Sequence, residues 1–393
     1  MGSPIEEIAS KYLFSVDAVE ALGEVFKDDL EGVIQSLRRP SQRYFMRVNT
    51  LKTTPEELLD SFRMKSIQIH RCEQILEAVF TNIGGPFKIP EVDKKVVIDK
   101  FAAESVLQGA HIYAPAIKKC SRLRREDKVA ITDVHGQVVG VGKMRMSETE
   151  ILSSRKGLAV EVTTPVYRGP SLRETEEYSK GLVYPQSLPA MVATRVLDPS
   201  PGETIVDLNC SPGGKLSHIS QLMRNTGRVI GVDRNSRKID VAGGNVQRLG
   251  CLNVDLIVHD ARYLADDFPN LKADRCLVDP PCSALGLAPK LYAETSRRQI
   301  GDLADYQKQF LRAASGVVRD GGSIVYSVCT VTRQECEEVA RYGVEKLGLE
   351  LAEQKLRLGD SGLEDFGYGA SLLQRFDPRK HGAGYFIARF IKA

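Results

Sequence analysis

From residue 168 to the C-terminus, short apolar runs that end in polar residues alternate with longer amphipathic stretches. The short runs are ETIVDLNC, GRVIGVD, VDLIVHD, ADRCLVD, GGSIVYSVC and GYFIARF. Between them stand KLSHISQLMR, SRKIDVAGGNVQRLG, LADYQKQFLRAASGVV and TRQECEEVARYGVEKLG, with apolar residues at helical spacing. This alternation constrains the fold more than any other feature. It predicts an α/β domain over 168–393, a mostly parallel sheet with helices on both faces. In such sheets ligands bind beyond the carboxyl ends of the strands, so the polar residues there are the candidates for function.

Two regions precede this domain. Residues 1–92 open with helical patterning and continue into RYFMRVNTLKTTPEELLDSF. There a short strand over 45–49 leads to a helix capped by Thr54, with Pro55 in its first turn. This region is expected to be an α+β accessory segment that touches RNA. Residues 93–167 have a β texture: strand, short helix and strand in KVVIDKFAAESVLQGAHIYAP, a hairpin around His135-Gly136, and alternation in LAVEVTTPVYR. A small β-barrel is expected.

Composition excludes several classes. Apolar residues make up 42% and charged residues 27%, as in ordinary globular chains. No apolar run reaches the ~18 residues of a membrane span. The N-terminus lacks a secretory pattern, and its Met-Gly-Ser start meets only part of the myristoylation pattern, because position 6 is Glu. The eight cysteines show no Cys-x-x-Cys and no paired Cys/His spacing. That argues against a disulfide framework and against a metal site, and fits a reducing cytoplasm. A monomer is expected. Net charge is only +3, but residues 93–163 hold 13 Lys/Arg against 9 Asp/Glu. Within them Lys118, Lys119, Arg122, Arg124 and Arg125 crowd into KKCSRLRRE, a cluster suited to neutralising phosphates.

The first strand of the α/β domain leaves through Asn209, Cys210, Ser211, Pro212, Gly213, Gly214 and Lys215 into a helix. Glycines there let a ligand approach backbone amides closely. The turn is neither G-x-G-x-x-G nor a Walker loop, so a nucleotide phosphate is not its natural guest. Asp233 ends the second strand, where a carboxylate can accept ribose hydroxyls. Lys238 follows on the next helix. Asp260 ends the third strand, within reach of an adenine amino group. Ribose and adenine without a pyrophosphate cradle point to S-adenosylmethionine.

The remaining two strand ends carry Asp279-Pro280-Pro281-Cys282 and, 47 residues on, Cys329. Prolines fix a rigid loop over the pocket. Amino-group methyltransferases place a stacking ring after a similar Asp-Pro-Pro; a thiol there implies different chemistry. Carbon 5 of a pyrimidine is a weak nucleophile until a thiolate adds at carbon 6. Such a scheme needs a nucleophile, a base to remove the carbon-5 proton, and an acid on the ring edge. Cys329, Cys282 and Asp279 supply these groups. Cys72, Cys120, Cys251, Cys276 and Cys336 read as core filler, and Cys210 as packing within the glycine turn.

At these residues the chain resembles the Sun family of RNA cytosine-5 methyltransferases. The family's cofactor motif is similar to DLNCSPGGKLSH, its Pro-Pro-Cys-Ser motif to DPPCSALG and its Thr-Cys-Thr motif to SVCT. Its Glu-Asn-Glu stands here as Glu335-Cys336-Glu337, and its N-terminal signature resembles RVNTLK. The resemblance implies a Rossmann-like methyltransferase sheet that binds S-adenosylmethionine through Asn209 to Lys215, Asp233, Lys238, Asp260 and Asp279. It implies Cys329 as nucleophile, Cys282 in product release, and Asp279 with Lys215 on the target base. The middle region resembles a PUA domain, which turns the basic cluster toward RNA. Within the family, a PUA domain in this position marks the branch that methylates a cytosine in the tRNA acceptor stem near the 3′ end. The implied partner is tRNA, through its acceptor stem and 3′ tail. A ribosomal RNA target fits the same domains. A non-enzymatic RNA-binding assembly factor would be signalled by a missing thiol or a broken glycine turn, and neither is seen.

Overall fold

The computed structural model describes residues 3–65 and 67–393, so the Met1-Gly2 start lies outside the described residues. The C-terminal region forms an eight-stranded sheet. Its strands are β1 (Thr204–Asp207), β2 (Arg228–Asp233), β3 (Val254–Val258), β4 (Ala273–Val278), β5 (Val318–Val328), β6 (Leu349–Leu351), β7 (Gln374–Phe376) and β8 (Tyr385–Lys392). The order is β3-β2-β1-β4-β5-β8-β6, with β7 also on β8. The first five strands pair in parallel, and β8 runs antiparallel to its neighbours. The sheet is the Rossmann-like one expected. All six strands read from the sequence form, and β6 and β7, at three residues each, are too short to show a period.

Helices cover both faces: α1 (Leu188–Leu197), α2 (Gly214–Leu222), α3 (Ser236–Leu249), α4 (Arg297–Val317) and α5 (Glu337–Leu347). Strand side chains alternate between faces. Ile205, Val229, Leu277 and Val325 pack with α1, α2 and α3, while Val206, Ile230, Cys276 and Tyr326 pack with α4 and α5. Cys276 and Cys336 are completely buried there, as core filler. Helix α4 starts six residues before the periodic stretch that marks it, because Ser296 and Gln299 form a reciprocal capping box.

The middle region is a six-stranded sheet in the order Ile112–Tyr113, Leu158–Pro165, Val138–Met144, Lys128–Thr132, Lys95–Ile98, Ile117–Lys119. Its two edge strands are joined by only Ala114–Ala116, so the sheet has to curl until its edges meet, as a small barrel does. Val96, Ile98, Val129, Ile131, Val139 and Val160 fill it.

The N-terminal region opens with the helices Pro4–Tyr12, Val16–Gly23 and Leu30–Leu37 and contributes to a four-stranded antiparallel sheet. The expected helix, Pro55–Met64, is closed at its start by a Thr54–Glu57 capping box. The sheet's strand Arg43–Val48 pairs with Ala78–Asn82 on one side and with Val183–Pro185, from far along the chain, on the other.

The loop between β4 and α4 is the junction of all three regions. Its Leu285 and Ala293 pack among the N-terminal helices, with Leu22 and Leu37. Its Leu291 and Tyr292 sit in the core of the small barrel. The Leu291 amide donates to Glu104 Oε1 at 3.1 Å, and its carbonyl accepts from Arg38. No helix among the described residues is long and apolar enough to cross a membrane. Leu291 is 4% exposed, so Leu291→Ala is expected to cost about 2–5 kcal/mol, read as a lower urea midpoint; an unchanged midpoint would mean that the loop does not anchor the barrel.

Candidate active site

The turn after β1 forms one side of the pocket. Gly213 sits at φ +99 as the N-cap of α2, a conformation that favours glycine. A Cβ there would also lie 3.3 Å from the Ala242 carbonyl. The turn is fastened by Cys210 N to Val232 O at 3.0 Å and by Gly213 N to Cys210 O at 2.7 Å. The Cys210 thiol points into the core and is 3% exposed, and burial pushes its pKa up. Ser211 Oγ donates to Lys238 O at 3.2 Å. Pro212 is exposed beside it. Asn209 Oδ1 is buried with no hydrogen-bond partner, an acceptor left for a ligand donor.

The acids follow at neighbouring strand ends. Asp207, 1% exposed, is pushed up to about 7 by burial, with Asp279 adding to the effect. Asp233 ends β2 and lies 4.0 Å from Lys238 Nζ. Asp260 is engaged by the guanidinium of Arg262, which holds its carboxyl below the usual range. An orphaned acceptor, an amide-lined turn and a carboxylate at the end of β2 fit the hydroxyls and amino groups of S-adenosylmethionine. Among the described residues no group of three His, Cys, Asp or Glu side chains gathers to hold a metal ion.

The thiols stand at the ends of the adjacent strands β4 and β5. Cys282 Sγ and Cys329 Sγ are 3.3 Å apart. Their loops are clasped through the backbone, with Gly286 N on Cys329 O at 3.1 Å and Gly384 N on Gly286 O at 2.6 Å. A Cβ on Gly286 would lie 2.2 Å from the Gly384 carbonyl, so only glycine admits this approach. Beneath the loop, Glu335 accepts from Ser283 N at 2.8 Å, Gln307 Nε2 at 2.9 Å and Thr332 Oγ1 at 2.9 Å. These bonds wrap residues 332–336 around one carboxylate, which is why α5 begins at Glu337 rather than at Thr332.

Lys215 Nζ lies 2.5 Å from Asp279 Oδ2. Burial works to lower the Lys215 pKa, but the Asp279 carboxylate overrides it and holds the ammonium well above its ordinary value. Tyr385 OH donates to Ser327 Oγ at 3.2 Å and lies 3.5 Å from Asp279 Oδ1. The two thiols are driven apart in acidity. Cys329 falls below the ordinary thiol value because Cys282 hydrogen-bonds to it, against burial and the Asp279 carboxylate, with Lys215 helping to lower it. Cys282 rises well above that value through the same bond and through burial. Cys329 is the more acidic thiol of the pair and Cys282 the less acidic.

The structure thus brings Cys282, Cys329, Asp279 and Lys215 together, with the residues expected from the sequence to meet the cofactor at the neighbouring strand ends. The basic cluster lies apart, exposed on the barrel. Arg125 is ion-paired with Glu150, while Lys118 lines a 580 Å³ pocket with Lys100, Phe101 and Tyr292. Thr295 and Gln299 join this pocket to one of 470 Å³ that reaches Ser283, next to Cys282. Sequence reasoning passed over Tyr385, Ser327, Gln307 and Lys100. Tyr385 and Ser327 stand in strands that were recognised, and the period-2 pattern of side chains marks them only once the pocket face is known. It also passed over Lys290, 6% exposed, whose pKa burial pulls down.

A mostly parallel methyltransferase-type sheet with two thiols at its chemical end, joined to a small barrel, defines an RNA-modifying methyltransferase. Residues 194–391 match the family model of the 16S rRNA methyltransferase RsmB/F, and residues 94–166 match that of the PUA domain. The chain belongs to the RsmB/F family and is an S-adenosylmethionine-dependent RNA cytosine-5 methyltransferase, as the Sun-family resemblance implied. It is 39% identical over 371 residues to the tRNA (cytosine(72)-C(5))-methyltransferase of Pyrococcus horikoshii, covering 93% of each chain. It is 26% identical to NSUN6 of Homo sapiens, a protein of the same description, over 99% of this chain and 97% of that one. The crystal structure of NSun6 from Pyrococcus horikoshii with SFG, an S-adenosylmethionine analogue, superposes with a TM-score of 0.88 at 38% identity, covering 97% of this chain and 99% of that one.

Removing Lys215 takes away a positive charge that favours the Cys329 thiolate and leaves Asp279 unneutralised beside it. Both changes raise the thiol pKa. In Lys215→Met the pH midpoint for alkylation of Cys329 by iodoacetamide is expected to move up by about one unit or more; a midpoint that stays or falls contradicts the charge arrangement.

Proposed function

We propose that the protein methylates carbon 5 of a cytosine in the tRNA acceptor stem, near the 3′ end, through a covalent bond between Cys329 and carbon 6. The observation that carries this reading is the pair of sulfur atoms 3.3 Å apart beside the Lys215–Asp279 pair. When bound, S-adenosylmethionine supplies an electrophilic methyl group. Cys329, the more acidic thiol, adds to carbon 6 and makes carbon 5 nucleophilic. Asp279 and Lys215 hold the ring edge, where charge develops as the thiolate adds. Once carbon 5 carries the methyl group, its proton has to leave before the carbon–sulfur bond can break. With Cys329 bonded to carbon 6, its hydrogen bond and negative charge no longer hold the proton on Cys282, which gives that proton to solvent and takes the one from carbon 5. Asp233, Lys238 and Asp260 belong to the cofactor side of the pocket, Asp260 after release from Arg262.

A base in or beside a duplex has to be unstacked to reach this pocket. The groove from Ser283 to Lys118 offers the RNA strand a route onto the barrel. Phe101, 78% exposed, presents a ring for stacking, and Lys100 and Lys118 present ammonium groups to phosphates. Lys119, Arg122, Arg124 and Arg125 add basic side chains beyond Lys118, and the groove itself also carries Asp99 and Glu294. The eight free cysteines suit a reducing cytoplasm, where the protein acts as a monomer.

With tRNA transcripts, Cys329→Ala is expected to remove methyl transfer. Cys282→Ala is expected to accumulate a protein–RNA adduct that survives denaturing electrophoresis. An adduct formed by Cys329→Ala would overturn the assignment of roles. Labelled methyl groups appearing in ribosomal RNA and not in tRNA would overturn the substrate.

A further inference from the structure

The face of α2 turned toward the N-terminal region is polar. Gly214, Ser217, His218 and Gln221 follow the helical spacing of one stripe, and the three side chains are at most 3% exposed. The N-terminal region meets each of them with a hydrogen bond. Arg47 Nη1 donates to Gly214 O at 2.6 Å and Nη2 to Ser217 Oγ at 2.7 Å. Glu77 Oε1 lies 2.8 Å from His218 Nε2. Gln221 Nε2 donates to Val48 O at 3.0 Å. Gly214 opens α2 directly after Gly213, so Arg47 grips the turn through which the cofactor loop enters its helix.

Stability alone does not explain this guanidinium. Arg47 is 1% exposed, and its hydrogen-bond partners are neutral: Gly214 O, Ser217 Oγ and Gln186 Oε1. Its Nε has no hydrogen-bond partner at all. Burial pulls its pKa down to about 10. It lies at the positive end of the α2 dipole, where a cation is disfavoured. The Glu77 carboxylate and the Tyr184 ring, 5.4 Å from the guanidinium carbon, favour the charge, yet no anion hydrogen-bonds it, and a buried cation so placed is generally less stabilising than an apolar side chain of similar volume. Positions that break a local rule in this way are expected where function needs them.

We infer that Arg47 is a positioning residue for S-adenosylmethionine: it fixes Gly214 and Ser217, sets the Ser211–Gly214 turn, and makes cofactor affinity depend on the N-terminal region. The inference rests on the assignment of that turn to the cofactor. Calorimetric titration of S-adenosylmethionine into wild type, Arg47→Met and Arg47→Lys tests it, with tRNA affinity measured by filter binding in parallel. The cofactor Kd is expected to rise at least tenfold in Arg47→Met and to recover partly in Arg47→Lys, with tRNA affinity within about threefold of wild type in both. A folded Arg47→Met with wild-type cofactor Kd overturns the inference, whatever its melting temperature. If Arg47→Met does not fold, Ser217→Ala, which removes one of the two anchors, carries the test: its cofactor Kd is expected to rise, and an unchanged value overturns the inference. Wild-type protein that fails to bind S-adenosylmethionine refutes the cofactor assignment itself, a separate outcome.

Discussion

Everything in the chemical half of the pocket depends on a backbone contact. The loop after β4 and the turn after β5 are locked by Gly286 N on Cys329 O and by Gly384 N on Gly286 O. Two parallel strands end side by side in any such sheet, but their neighbouring loops normally diverge. Here a residue without a side chain lets three segments touch, and the touch sets the sulfurs 3.3 Å apart. That distance couples the two thiols, and the chemistry turns on this coupling. One thiol hydrogen-bonds the other, so Cys329 is the more acidic and Cys282 the less acidic. Lys215 and Asp279 add a charge pair whose positive member favours the Cys329 anion.

The same loop ties the chemistry to the rest of the molecule. Between Cys282 and α4 it gives Leu285 and Ala293 to the N-terminal helices and Leu291 and Tyr292 to the barrel. A chain this long could have carried three units on flexible linkers. Instead, the segment that presents Cys282 is part of the core of both neighbours. On the opposite side of the pocket, the N-terminal region holds α2 through Arg47, Val48 and Glu77. The catalytic sheet is thus braced at both halves of its pocket by residues outside it.

Much of this was legible in the sequence, for a physical reason. Parallel strands buried on both faces read as apolar runs, and their functional residues must stand where the runs stop. That places Asp233, Asp279, Cys282 and Cys329 at strand ends from the sequence alone. What stayed hidden depends on contacts between distant segments. The sulfur separation follows from the Gly286 clasp, and no local pattern encodes it. Arg47 lies in RYFMRV, where alternation suggests a surface residue, yet it is buried because α2 covers it with polar groups. Arg262, which occupies Asp260, comes from the turn that Asp260 itself caps. Lys100 and Phe101 open a short helix in the barrel and carry no motif, so the basic cluster drew attention although only Lys118 of that cluster lines the groove.

The central claim is that Cys329, and not Cys282, bonds to the base. A tRNA transcript carrying 5-fluorocytosine tests it most directly. Fluorine at carbon 5 cannot leave as a proton does, so the methylated adduct is trapped. Digestion and mass spectrometry of the trapped complex should find the nucleotide on the peptide that contains Cys329. Nucleotide on the Cys282 peptide, or no adduct in the presence of S-adenosylmethionine, would contradict the account.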